Sequence, residues 1–167
     1  LGWDRLLSSQ KHYQFRCAVG KLRFVSHERW DIAYAVWKLS KQLSAPTGAS
    51  WKELRRLGRY IRGSMHRRLA LSAKPTSVDD KKVIVKVYVD SDFAGEQATR
   101  RSMNAACIRV EDATVMAYSR QQTTVSTSSC EAEYGALTSG LAEALGIRSL
   151  VLELGRKPEL QLYSDSS

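Results

Sequence analysis

The 167-residue chain is short of cysteine and histidine, with three of each. Cys17, Cys107 and Cys130 stand at wide, irregular intervals. An odd number without a repeated spacing excludes a disulfide framework and a Cys-x-x-Cys zinc pattern, and fits a reducing, intracellular compartment. His12, His27 and His66 do not pair with the cysteines at ligand spacing, so no metal is assigned to them. No apolar run approaches the roughly 20 residues of a membrane span, so no membrane partner is expected. No signal-peptide pattern and no Met open the chain. It begins at Leu1 and stops two residues past Asp165, which reads as a piece of something longer.

Acidic side chains are scarce in the first half alone. Residues 1–82 hold 18 Lys and Arg against 6 Asp and Glu, a net +12. Residues 83–167 hold 8 against 11, a net −3, giving +9 overall. A basic half beside a mildly acidic one suits a polyanion held by the first and worked on by the second. The apolar fraction of 43% is that of a folded protein, and the length allows one ordinary domain or two small ones.

The hydrophobic period divides the chain. Residues 1–72 read as helical. In "DIAYAVWKLSKQL", Ile32, Val36, Leu39 and Leu43 share a face. Pro46 and Gly48 interrupt, and Ser50 with Glu53 has the spacing of a capping box that opens a second helix. There Trp51, Leu54, Leu57 and Ile61 fall on one side, and Lys52, Arg55, Arg56, Arg59 and Arg62 on the other. No Glu interrupts the cationic arc, so phosphate contact is expected of it rather than mere solvation. Residues 73–82 read as a linker. From Val83 the period becomes two. "VIVKVYVD", "AACIRV" and "TVMAYS" read as strands, the last two joined at Glu111-Asp112. A helix follows from about Ser129 to Leu145, with a break near Gly146 and a further helical stretch to Leu154. "ELQLYSD" reads as the final strand, and the helical crossover lets it run parallel to an earlier one.

Two strands end alike, Tyr88-Val89-Asp90-Ser91 and Tyr163-Ser164-Asp165-Ser166. Sites in parallel α/β sheets form at the carboxyl ends of strands, so Asp90 and Asp165 are candidates. Asp92 reads as turn chemistry or a helper. Ser128 and Glu131 have capping-box spacing. Glu133 instead lies in line with Ala136, Leu137, Gly140, Leu141 and Ala144, an apolar stripe expected to face the sheet. A carboxylate there is costly unless a positive charge meets it, and a hard cation shared with the two aspartates would supply one. Two such ions serve phosphodiester cleavage.

"VYVDSDFAGEQATRRSMNAACIRVEDATVMAYSRQQTTVSTSSCEAEYGAL" resembles the ribonuclease H domain of copia-type retrotransposon Pol polyproteins. "VGKLRFVSHERWDIAYAVWKLSKQLSAPTGASWKELRRLGRYIRGS" resembles the thumb and connection that follow the reverse transcriptase palm there. The resemblance covers roughly residues 13–167. It implies an α/β fold: a helical segment, then a ribonuclease H-like mixed sheet, residues 83–167, without its C-terminal elements. It implies hydrolysis of the RNA strand of an RNA–DNA hybrid, with two Mg²⁺ ions (Mn²⁺ as substitute) held by Asp90, Glu133 and Asp165 as catalytic and metal-binding residues. Ser128 and Ser129 match positions near the hybrid. The implied partners are the hybrid, other nucleic acid and the remainder of the polyprotein, in a cytoplasmic particle or the nucleus.

The departures bear on activity. The family's fourth acid and the polymerase's paired aspartates are absent, Phe93 replaces Trp, and Trp30 replaces Pro. The missing acids imply impaired hydrolysis, whereas Phe93 is a mild change and Trp30 affects a turn rather than chemistry. The alternatives are a nucleic-acid-binding remnant and a phosphatase of the aspartyl-phosphate type, with Asp90 as nucleophile and Asp92 as acid. The latter has only Lys157 as its downstream clamp and leaves Glu133 unused.

Overall fold

The computed structural model describes residues 3–67, 69, 71, 81–96 and 98–165. The chain divides into two compact units, 1–69 and 70–167. Most of the expected linker, residues 73–80, lies outside the described residues.

The first unit packs α1 (Ser9–Val25), α2 (Ala33–Ser40) and α3 (Gly48–Gly63), with a 3₁₀ turn at Trp30–Ile32 leading into α2. Phe15 and Val19 of α1 meet Ile32, Val36, Leu39, Leu54 and Leu57 in one core, against which Leu43, Trp51 and Ile61 also pack. The apolar faces expected of α2 and α3 are thus the buried ones.

The start of α3 differs from the expectation. Its N-cap is Thr47, and Ser50 is the third residue of the helix, completing the capping box that Glu53 was expected to complete. Ser50 accepts from the Thr47 amide at 3.0 Å while its own amide reaches Thr47 Oγ1 at 3.4 Å. Two amides of the first turn, which a helix cannot satisfy internally, find the N-terminal turn: Gly48 N–H donates to Arg5 O and Ala49 N–H to Trp3 O. Glu53 is drawn away to Lys38 of α2, at 3.3 Å.

A polar clasp ties the end of α3 to the turn before α2. The Arg29 guanidinium donates twice to Asp31, at 2.9 and 2.7 Å, and also to Ser64 Oγ. Tyr60 donates to Asp31 Oδ2 at 2.8 Å. The Arg29 hydrogen bonds hold the Asp31 carboxyl down at about 2. A depressed folded pKa adds stability above the ordinary value near 4, which is lost as pH falls toward 2. The Asp31 side chain is 30% exposed, so screening leaves a contribution of about 1 kcal/mol. Asp31→Asn is expected to lower the urea midpoint at pH 7 and to make little difference near pH 2.

The second unit is one sheet with one helix on it. β1 (Lys82–Asp92), β2 (Met103–Val110) and β3 (Ala113–Gln121) form an antiparallel meander. α4 (Ser129–Glu153) then crosses over, and β4 (Lys157–Ser164) returns parallel to β1. The strand order is β3-β2-β1-β4. The overall class is the expected α/β.

Alternation sends Val85, Val87 and Val89 to the α4 side, with Ala106 and Ile108. The expected break at Gly146 does not occur; α4 runs unbroken through it. Its buried stripe is Ala132, Ala136, Gly140 and Ala144, with Leu137 packed beside it, so the expected stripe holds at Ala136, Leu137, Gly140 and Ala144, while Leu141 is exposed and Glu133 half-buried at its margin. α4 is long and apolar enough to cross a membrane by length and composition alone. Here its small residues let it lie close against the sheet.

Candidate functional site

The β1–β4 register decides where the acids go. Tyr88 pairs with Tyr163 and Val89 with Ser164; the next residues in each strand direction are Asp90 and Asp165. The two tyrosines stack with ring centroids 4.9 Å apart. Two exposed aspartates therefore follow neighbouring strands out at the same edge of the sheet. Asp90 pairs with Ala105, whereas Ser91 pairs with Asn104. The Asn104 amide donates to Gly135 O and Ser139 Oγ of α4, so Ser91 faces the helix and Asp90 the opposite side. Ser91 Oγ is buried with no hydrogen-bond partner among the described residues. Asp92 ends β1, and its carboxylate lies where a Cβ on Gly95 would stand. Only a residue without a side chain fits that turn without displacing Asp92.

Glu133 lies in the second turn of α4, half-buried, and accepts from Ser129 Oγ at 3.3 Å. Ser128 is the N-cap and accepts from the Glu131 amide at 3.2 Å. Glu131 reaches back to the Thr127 amide and hydroxyl, and these bonds lower its pKa. Both serines expected near a hybrid thus have structural partners as well. Asp90, Glu133 and Asp165 offer oxygen donors alone, the set a hard cation takes. Among the described residues, however, no three Asp, Glu, His or Cys are grouped so as to hold a metal ion. The arrangement brings two aspartates to one edge and does not close a three-carboxylate cage.

Residues not singled out from the sequence fix the start of α4. Gln122 sits at the centre of a buried polar cluster. Its amide donates to Asn104 Oδ1 at 2.5 Å and to Ala132 O at 2.8 Å, and its carbonyl accepts from Ser126 at 2.7 Å. Asn104 then grips α4 one turn further on. The only signal in the sequence was the run of polar residues in "QQTTVSTSS", which resembles any connector.

On α3, Lys52, Arg55, Arg56, Arg59 and Arg62 are all exposed. Lys52 stands over the Trp3 ring at 5.1 Å. Among the described residues, the four arginines have no hydrogen-bond or ion-pair partner. A cationic face with no carboxylate to neutralise it is open to an anionic ligand.

Over 142 residues, 85% of this chain, the sequence is 31% identical to the retrovirus-related Pol polyprotein from transposon RE2 of Arabidopsis thaliana. Over most of its length the chain is therefore similar to a segment of retrotransposon Pol polyproteins, which supports a retrotransposon-derived fragment. The chain spans about a tenth of the length of the RE2 polyprotein (9%). It is 35% identical over 129 residues to an uncharacterized mitochondrial protein of the same plant, spanning about half (51%) of it. It is 32% identical over 136 residues to secreted RxLR effector protein 161 of Plasmopara viticola, covering 92% of that protein. No family model matches the segment, and no solved structure matches it.

Proposed function

We propose that this Pol segment holds an RNA–DNA hybrid, and that hydrolysis of the hybrid's RNA strand belongs to the intact polyprotein. The first unit then corresponds to the thumb and connection of a copia-type reverse transcriptase, and the second to a ribonuclease H-type unit. The observation that carries the reading is the parallel β1–β4 register, which brings Asp90 and Asp165 out together at one strand edge. Mg²⁺ or Mn²⁺ would supply the charge that makes neighbouring carboxylates tolerable, and Glu133, carried by α4 on the other face of the sheet from Asp90, would join the two aspartates only if the start of α4 shifts toward their edge. The segment by itself does not gather them, which supports impaired cleavage with binding retained. The rest of the polyprotein would be the second partner. The phosphatase alternative gains no support from any of the relatives.

Binding is expected to rest on the α3 arginines. Each phosphate neutralised releases counterions, so affinity falls with salt in proportion to the number of contacts. Arg55→Ala combined with Arg59→Ala is expected to weaken hybrid binding equally for all sequences. It should also flatten the slope of log K against log salt by about 1–2. An unchanged slope would remove α3 from the interface.

A further inference from the structure

Within the first unit, a cleft of about 330 Å³ opens between α2 and α3. Its floor includes Leu39 and Leu57, and Tyr34 and Tyr60 stand on its walls. Tyr34 is 49% exposed and Tyr60 39%. Neither ring is spent on the core. Tyr34 stacks instead on Trp37, with centroids 5.7 Å apart, and Lys41 lies 4.9 Å over that Trp ring. Arg56 and Lys38 stand at the cleft. Lys38 is tied to Glu53, while Arg56 has no partner among the described residues.

We propose that this cleft takes one unpaired nucleobase of a single strand, stacked against Tyr34, with the adjoining phosphate on Arg56. The proposal rests on the nucleic-acid reading and names a site within it. Three observations converge. The volume is at the lower end for small-ligand sites, which suits one planar ring. One wall carries the half-exposed Tyr34 ring, and a base stacks on an aromatic ring without sequence preference; Tyr60 is taken by Arg67 over its ring and by Asp31 at its hydroxyl, and the two carboxylates of the lining, Asp31 and Glu53, are held by Arg29 and Lys38. The free cation is a guanidinium, whose planar fork suits phosphate oxygens. The Trp37–Lys41 pair behind Tyr34 holds its ring in place, so stacking orders little that was loose before.

The test uses the full chain and three probes: an oligodeoxyadenylate strand, the same strand with abasic sites, and a blunt RNA–DNA hybrid. Tyr34→Ala is expected to weaken the oligodeoxyadenylate about tenfold, with Tyr34→Phe within about twofold of the parent. Blunt-hybrid affinity should not change in either variant, and the parent should bind the abasic strand as weakly as Tyr34→Ala binds the intact one. An unchanged thermal transition shows that Tyr34→Ala is folded. Equal binding of abasic and intact strands by the parent, or no loss in Tyr34→Ala, would overturn the cleft while leaving hybrid binding in place. No binding of any probe would overturn both readings. A concentration-dependent sedimentation change abolished by Tyr34→Ala, without an effect on bases, would assign the cleft to a second copy of the chain.

Discussion

Gly140→Leu is expected to abolish cooperative folding of the second unit. Gly140 lies in the stripe by which α4 rests on the sheet. A Cβ there would meet Val89 Cγ1 well inside van der Waals contact, with Val87 Cγ1 at 3.6 Å and Ala106 Cβ at 3.8 Å. Val89 cannot swing aside: it is β-branched, buried, and on a central strand. Even Gly140→Ala should cost about 1–2 kcal/mol. Overpacking of about 1–3 kcal/mol outweighs a helix-propensity gain of up to about 1 kcal/mol. Gly146 on the same helix is the control. Nothing lies within 4 Å of a Cβ there, so Gly146→Ala is expected to stabilise by about 0.5–1 kcal/mol. Denaturant unfolding followed by a probe in the second unit separates the two. Equal effects at both glycines would mean that α4 does not lie on β1 as described.

The second large effect is expected at Gln122. One buried amide there serves a strand, a loop and a helix end at once. Gln122→Ala leaves the Ser126 hydroxyl and the Asn104 Oδ1 without their Gln122 partner, and takes from the Ala132 carbonyl its bond outside the helix, in a site closed to most water. Each buried group left unsatisfied costs about 1–3 kcal/mol, so a loss of about 2–4 kcal/mol is expected. The local consequence matters more for function. Without Gln122, the first turns of α4, which carry Ser128, Ser129 and Glu133, lose their anchor to β2. Hydrogen exchange is expected to accelerate at the amides of residues 131–136 before it does in β1. A uniform rise across the unit would reduce Gln122 to a general packing residue.

The alternation of Val83 to Val89 with polar partners was sufficient to find β1, because a sheet with one face covered enforces a period of two. The turn at Glu111-Asp112 and the parallel return of β4 followed from the same patterning. The errors came where a local rule competed with a partner distant in sequence. Ser50 and Glu53 fit a capping box, but Lys38 claims Glu53 and Thr47 takes the cap. Gly146 reads as a helix breaker, yet a glycine on the open side of a packed helix costs only about 1 kcal/mol, less than the packing of residues 132–144 returns. Glu133 stood out in the sequence only because it lies in line with a stripe of small and apolar residues. That Asp90 faces away from α4 was not legible, because the facing depends on which residue of β1 pairs with Asn104. The cluster around Gln122 was hidden because its hydrogen-bonded members lie 4 to 35 residues apart.

The most direct measurement is incubation of an end-labelled RNA–DNA hybrid with the 167-residue chain and Mg²⁺. An EDTA control and Asp90→Asn run beside it, and binding is titrated in the same samples against salt. The account predicts a salt-sensitive complex, present with or without Mg²⁺, and no cutting of either strand. Failure to bind the hybrid at low salt would contradict the nucleic-acid assignment. Mg²⁺-dependent cutting of the RNA strand, lost in Asp90→Asn, would contradict the assignment of hydrolysis to the intact polyprotein and show that the acids of this segment suffice.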